Sequence, residues 1–346
     1  MKDETLKLEN NNNTMIENSS FTDQELRTIQ NVMGNISKHV KDKNWPCFVN
    51  GCTKKAINSH LLMQNGILNY VAENGRLVEL RTKKPEAFKK NELPFSFKEV
   101  GIKQAISFPL FCDMHDTALF KEIEDGHVDY HNYRHLALYS YRSICAEIRR
   151  KEIIVDQLSR EINSHELSAL LSPTIQYEKR TSKEGQIRGI ADLEYYKNQF
   201  LLDINNGTKN YSFISLPIPI KGIYASTLST LFSTGEETMY DNILNIFIFH
   251  LIPKYNSSQL VMGYHNSHVN DRILDYIDRW NSVKVDKIGY MLTGLLGQVE
   301  TWGMSPSVYK QISTEQIQKF YKLLEDNITT DDQYPIERMN LFEGIL

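Results

Sequence analysis

The chain has 346 residues, 41% of them hydrophobic and 24% charged, which is enough apolar content to bury one or two real cores. Its formal net charge of -4 excludes a dedicated non-specific nucleic-acid binder, which is usually strongly basic, so any nucleic-acid contact has to be local. Four cysteines are too few for a disulfide framework, the polar N-terminus lacks a signal-peptide core, and no run approaches the ~18 apolar residues of a membrane span. A cytoplasmic protein with no membrane contact is the expectation.

Residues 1–20 include the run Asn10 to Asn13 and carry too little apolar content to offset the entropy of ordering, so a disordered tail is expected. From Phe21 the pattern turns helical: Thr22 is a cap with Glu25 three residues on, and Leu26, Ile29, Val32, Met33 and Ile36 recur at helical spacing. This helix delivers the chain to Cys47. Short strands are expected at 66–68 and at 76–80, the second after the Asn74-Gly75 turn signal. Lys83, Lys84, Lys89 and Lys90 read as a solvated loop. The apolar stretch 105–111 brings in Cys112 on an extended segment, and a helix starts at Asp116 or Thr117.

A long helix is expected over 130–163, with Leu136, Tyr139, Ile144, Ile148 and Leu158 inward and Arg149, Arg150 and Lys151 on a polar face. Cys145 falls in this run as a small buried hydrophobe. His127, His131 and His135 would share a face if the helix began that early. Pro173 and the polar run 178–185 mark a boundary. Strands are expected at 199–204, 212–220, 243–252 and 259–264, with turn residues between them, then helices at 269–280, 284–299 and 314–326. Strands followed by helices make an α+β fold with a mainly antiparallel sheet. The expected units are a tail over 1–20, an N-terminal domain over 21–165 and a C-terminal α+β domain over 186–346. His250, His265 and His268 read as hydrogen-bonded or surface histidines near strand ends, and Trp302 and Tyr309 as anchors of a Pro-containing turn.

The chemistry is concentrated in one stretch. Trp45-Pro46-Cys47-Phe48-Val49-Asn50-Gly51-Cys52, Ser59-His60 and Phe111-Cys112-Asp113-Met114-His115-Asp116 hold three of the four cysteines and two histidines. Thiolate and imidazole at short intervals suit a tetrahedral Zn²⁺ ion, which would staple the region together. No Gly-rich phosphate loop, nucleophile elbow or internal repeat is present.

These motifs resemble the treble-clef, ββα-metal arrangement of HNH endonucleases, and a bacterial group of HNH-like zinc-finger proteins in particular. Cys47 to Cys52 is similar to a zinc knuckle, Ile57 to Leu61 to the strand carrying the first HNH histidine, and 111–116 to the knuckle that opens the final helix. The resemblance covers about residues 45–125. It implies a structural zinc held by Cys47, Cys52, Cys112 and His115. It further implies His60 as the general base that activates water against a phosphodiester, and Asp116 as the ligand of Mg²⁺ or another divalent ion. Two positions depart from the pattern: Ser59 stands where an acidic ligand or histidine precedes the first HNH histidine, and the central asparagine has no unique counterpart. His60 therefore keeps a second reading, as a zinc ligand with Cys47, Cys52 and Cys112. The implied activity is metal-dependent hydrolysis of DNA or RNA, in bacterial defence. The alternative is a non-enzymatic, zinc-stabilised module that binds protein or nucleic acid, its C-terminal domain supplying the partner surface.

Overall fold

Helix α1, Asp23–Lys41, opens with reciprocal bonds between Thr22 and Glu25, the capping box read from the sequence. The computed structural model describes residues 21–82, 95–125, 128–231, 243–330 and 334–345; the Asn-rich tail, the four loop lysines and His127 lie outside them. A cysteine-bearing loop leads to β1, Ile57–His60. The strand expected at 66–68 is a π-turn, Gln64–Leu68, that runs into the single-turn helix α2, Asn69–Val71. Ile67, Leu68 and Val71 are buried there, and so short an apolar run does not distinguish the two periods. Asn74 and Gly75, at φ 51° and 71°, make the expected turn into β2, Arg76–Thr82.

Strand β3, Phe95–Gly101, pairs with β2, and β4, Ser107–Phe111, returns to pair antiparallel with β1. Helix α3 is Asp113–Glu124; it starts earlier than expected because Cys112 takes the N-cap position. Helix α4 runs through Tyr133–Ile162. Asn132 caps it by accepting from the Arg134 and His135 amides, so His131 precedes the helix and the histidine stripe does not form on it.

Helix α5, His165–Leu170, is followed by α6, Pro173–Asn206. Pro173 and the polar run 178–185, expected to mark a boundary, lie instead within α6, Pro173 as its first residue after the N-cap Ser172. The run stays helical because α4 engages its polar side: Lys179 Nζ stands 2.5 Å from Glu161. The strand expected at 199–204 forms the last turns of α6, which Gly207 ends at φ 72°.

Four strands then follow: β5 (Tyr211–Ile218), β6 (Ile223–Ser229), β7 (Phe247–Pro253) and β8 (Ser258–His265). After α7 (Asp271–Asn281) and α8 (Val285–Leu296) come β9 (Trp302–Met304), α9 (Pro306–Gln311) and α10 (Thr314–Thr329). The fold is mixed α+β. Its larger sheet has the order β3-β2-β9-β6-β7-β8-β5 with every pairing antiparallel, so strands from both halves of the chain share one sheet. Strand alternation sorts the core. Phe247, Phe249 and Leu251 of β7 join α7, α8 and α10 on one face, whereas Ile248 and Ile252 join α4, α6 and the cysteine region on the other. No helix among the described residues is long and apolar enough to cross a membrane.

Candidate metal centre

Two short elements bring the cysteines together. In the loop, the Cys47 amide donates to Lys54 O at 3.1 Å and the Cys52 amide to Val49 O at 3.0 Å. Gly51, at φ 76°, supplies the left-handed residue this tight reversal needs. The Phe48 amide donates to Leu110 O at 3.0 Å, which fastens the loop to β4. Strand β4 ends at Phe111, so Cys112 sits directly before α3 and His115 lies in its first turn, where residues three apart share a face.

The result is a compact donor set. His115 Nδ1 lies 3.4 Å from both Cys47 Sγ and Cys112 Sγ, and the Cys52 and Cys112 sulfurs are 3.9 Å apart. All four ligand atoms fall within 4.8 Å of one another. Zinc–sulfur bonds of about 2.3 Å in a tetrahedron put sulfurs roughly 3.8 Å apart, so the set can hold a metal ion such as zinc. The His115 amide at the head of α3 holds the Cys112 thiol below its usual range, while burial pushes the Cys47 thiol up. No family model, curated protein or solved structure matches the chain. The four residues that the sequence motifs nominate as ligands are therefore joined here by their geometry alone.

His60 does not belong to this group. Its Nε2–H donates to the Ile102 carbonyl at 3.1 Å, which leaves Nδ1 with the lone pair. Burial lowers its pKa, so the ring is neutral at pH 7. The ring shares an electrostatic neighbourhood with Asp116, Glu124 and Arg142. Burial raises the Asp116 carboxyl, against the pull of the Arg142 guanidinium and the Ser59 hydroxyl. Ser59 is buried, and its Oγ accepts from the Phe111 amide at 3.4 Å, a role in the β1–β4 pair that an acidic side chain would not fill as cheaply.

Arg142 and Arg149 were not legible as site residues. Both are fully buried on α4, and the expectation that Arg149 lies on a polar face is wrong. Arg142 Nη2 donates to Glu124 at 2.7 Å, stands 3.7 Å from Asp116 Oδ1, and places its guanidinium 3.7 Å from the centre of the Phe120 ring. The available signal was spacing: Arg142, Cys145 and Arg149 sit at i, i+3 and i+7 on a helix whose neighbouring inward positions are apolar. Elsewhere, His250 lies in the middle of β7 rather than near its end, His268 Nε2 meets the Tyr195 hydroxyl at 3.0 Å, and Trp302 anchors β9 edge-on to Phe97 and Phe320.

Proposed function

We propose that the chain is a metal-dependent nucleic-acid hydrolase built on an HNH-like treble clef, with zinc held by Cys47, Cys52, Cys112 and His115 as a structural staple. The observation that carries this reading is the separation of two groups. The thiols and His115 converge on one point, while His60, at the end of β1, stands outside them in the electrostatic range of Asp116 on the first turn of α3. His60 is the general base: its proton is fixed on Nε2 by Ile102, and Nδ1 takes a proton from the attacking water. Asp116, one of whose oxygens is buried without a hydrogen bond, would hold a divalent ion such as Mg²⁺, and such an ion would supply charge stabilisation at the scissile phosphate. Arg142 fixes Asp116 and Glu124 at the edge of this group.

One observation favours a second reading. Arg142 is a permanent cation, held by Phe120 and Glu124, in the place next to Asp116 that a divalent ion would need. In that reading the HNH-like site is degenerate, and the zinc fixes the shape of a module that recognises protein or nucleic acid. His60→Ala separates the two. The hydrolase reading expects the variant to keep its zinc and its melting temperature while cleavage of DNA or RNA in Mg²⁺ falls by about 100-fold or more. Absence of cleavage by the unaltered protein, on single- and double-stranded DNA and RNA alike, leaves the binding module. Loss of zinc in His60→Ala would make His60 structural and remove the base.

A further inference from the structure

The metal-binding loop is gripped by a residue that donates nothing to the metal. Arg149 Nη2 donates to the carbonyl of Pro46, the residue directly before Cys47, at 2.7 Å. Its guanidinium carbon lies 4.8 Å from the centre of the Trp45 ring and 4.5 Å from that of Phe48. Three of the residues flanking the first ligand thus close on one planar cation, a geometry that arginine provides and lysine does not. Arg149 is buried; among the described residues its one ion-pair partner is Glu152, Nη1 to Oε2 at 3.1 Å, and its Nε makes no hydrogen bond. Burying a guanidinium with so little direct compensation is costly unless negative charge stands nearby. A loaded metal centre would supply it: a divalent ion with three thiolates and a neutral imidazole would carry one net negative charge, and Cys47 lies within electrostatic reach of Arg149.

We infer that Arg149 is a positioning residue for the metal centre, setting the placement of Cys47 and offsetting the charge of the metal–thiolate group, so that it governs metal affinity from outside the coordination sphere. The inference rests on the Cys47, Cys52, Cys112 and His115 set binding zinc, and is independent of any hydrolytic activity.

The test is zinc competition against a chromophoric chelator on the full chain, with melting of the zinc-loaded and zinc-free forms alongside. Arg149→Met keeps most of the side-chain volume and removes the charge; it is expected to weaken zinc binding by about 10- to 100-fold and to shrink the rise in melting temperature that zinc confers. Arg149→Lys keeps the charge and loses the fork to Pro46, and is expected to fall between the two. A purely structural role would lower both melting temperatures together and leave the zinc increment untouched. Zinc affinity of Arg149→Met within twofold of the unaltered protein overturns the inference. If that variant does not fold, Arg149→Lys decides: a several-fold loss supports the inference, and unchanged affinity overturns it. An unaltered chain that binds no zinc would remove the metal centre and the inference with it, whereas a zinc-loaded chain indifferent to position 149 removes the inference alone.

Discussion

At the scale of the residue, His250 has both ring nitrogens committed inside the protein. Nδ1 lies 2.9 Å from the Ser226 hydroxyl and Nε2 3.3 Å from that of Ser140, and Ser226 continues to Ser143 at 2.8 Å. This chain of hydroxyls bonds the neutral ring and joins α4 to β6 and β7 with no charge. Burial pushes the His250 pKa down to about 3. An unfolded histidine titrates near 6.5, so between about pH 3 and 6.5 the unfolded state holds the extra proton and stability rises with pH. Above that window the group contributes nothing to the pH dependence; on acidification through it, about 1.4 kcal/mol is lost per pH unit. Urea unfolding between pH 5 and 7.5 should show stability rising to about pH 6.5 and levelling off above it, with a shallower rise below about pH 6.5 in His250→Gln, and parallel slopes there would contradict it. The histidine itself was visible in the sequence, but its partners were not, because Ser140 and Ser226 reach it only through packing. The same holds for Arg142 and Arg149, whose charge suggested solvent while their aromatic neighbours, Phe120, Trp45 and Phe48, lie elsewhere in the chain.

At the scale of the element, α4 and β9 decide the arrangement. Helix α4 presents one guanidinium to the His60–Asp116 group and the other to the cysteine loop, two turns apart, with the buried Cys145 thiol between them. It thereby holds both halves of the candidate site at fixed separation. Its existence was legible from periodicity, though its Asn132 cap was not; α1 was legible from periodicity and its cap, and α7, α8 and α10 were anticipated as helices. The last turns of α6 were misread as a strand because the apolar residues of 199–204 look alike at either period once they are cut from the helix that precedes them. Strand β9 escaped for the opposite reason: three residues carry no period, and Trp302–Met304 is a strand only because β2 and β6 pair with it on either side. Gly303 is what lets it fit. A Cβ there would stand 2.4 Å from the Tyr224 hydroxyl oxygen and 2.7 Å from Glu79 Cγ, and Glu79 itself is buried, accepting from the Ile106 amide and from Tyr224. Gly303→Ala should therefore cost about 1–3 kcal/mol, seen as a lower midpoint in thermal or urea unfolding. An unchanged midpoint would show that the β2–β9–β6 contact is loose.

At the scale of the whole molecule, the cysteine region is not an appendage. Cys47 and Cys112 lie in the same buried cluster as Phe111, Phe120, Tyr141 and Ile144, and this cluster reaches Ile248 and Ile252 of the central sheet. Removing a bound zinc should be felt throughout the chain. About one equivalent per chain is expected, and chelation should lower the melting temperature by on the order of 5–10 °C in a single cooperative transition. Metal analysis that finds none, or chelation without a thermal shift, would refute the structural role. The α+β character and the antiparallel strands could be anticipated from the order of strands before helices and from the turn residues between them. The sheet order could not, because pairing Glu79 with Gly303 is a long-range choice made by packing and leaves no local trace.

That pairing also bears on how the protein is made. Strands β2 and β3 leave the ribosome as a hairpin whose β2 edge has no partner until Trp302–Met304 arrive, roughly 200 residues later, or on the order of 10–40 s at ordinary rates of synthesis. During that interval Val78 and Leu80 belong to a core that does not yet exist, and the bare edge is a template for foreign strands. Residues 76–82 are thus an aggregation-prone edge of the nascent chain, and a chaperone that shields a short apolar strand early in synthesis is expected to raise its yield.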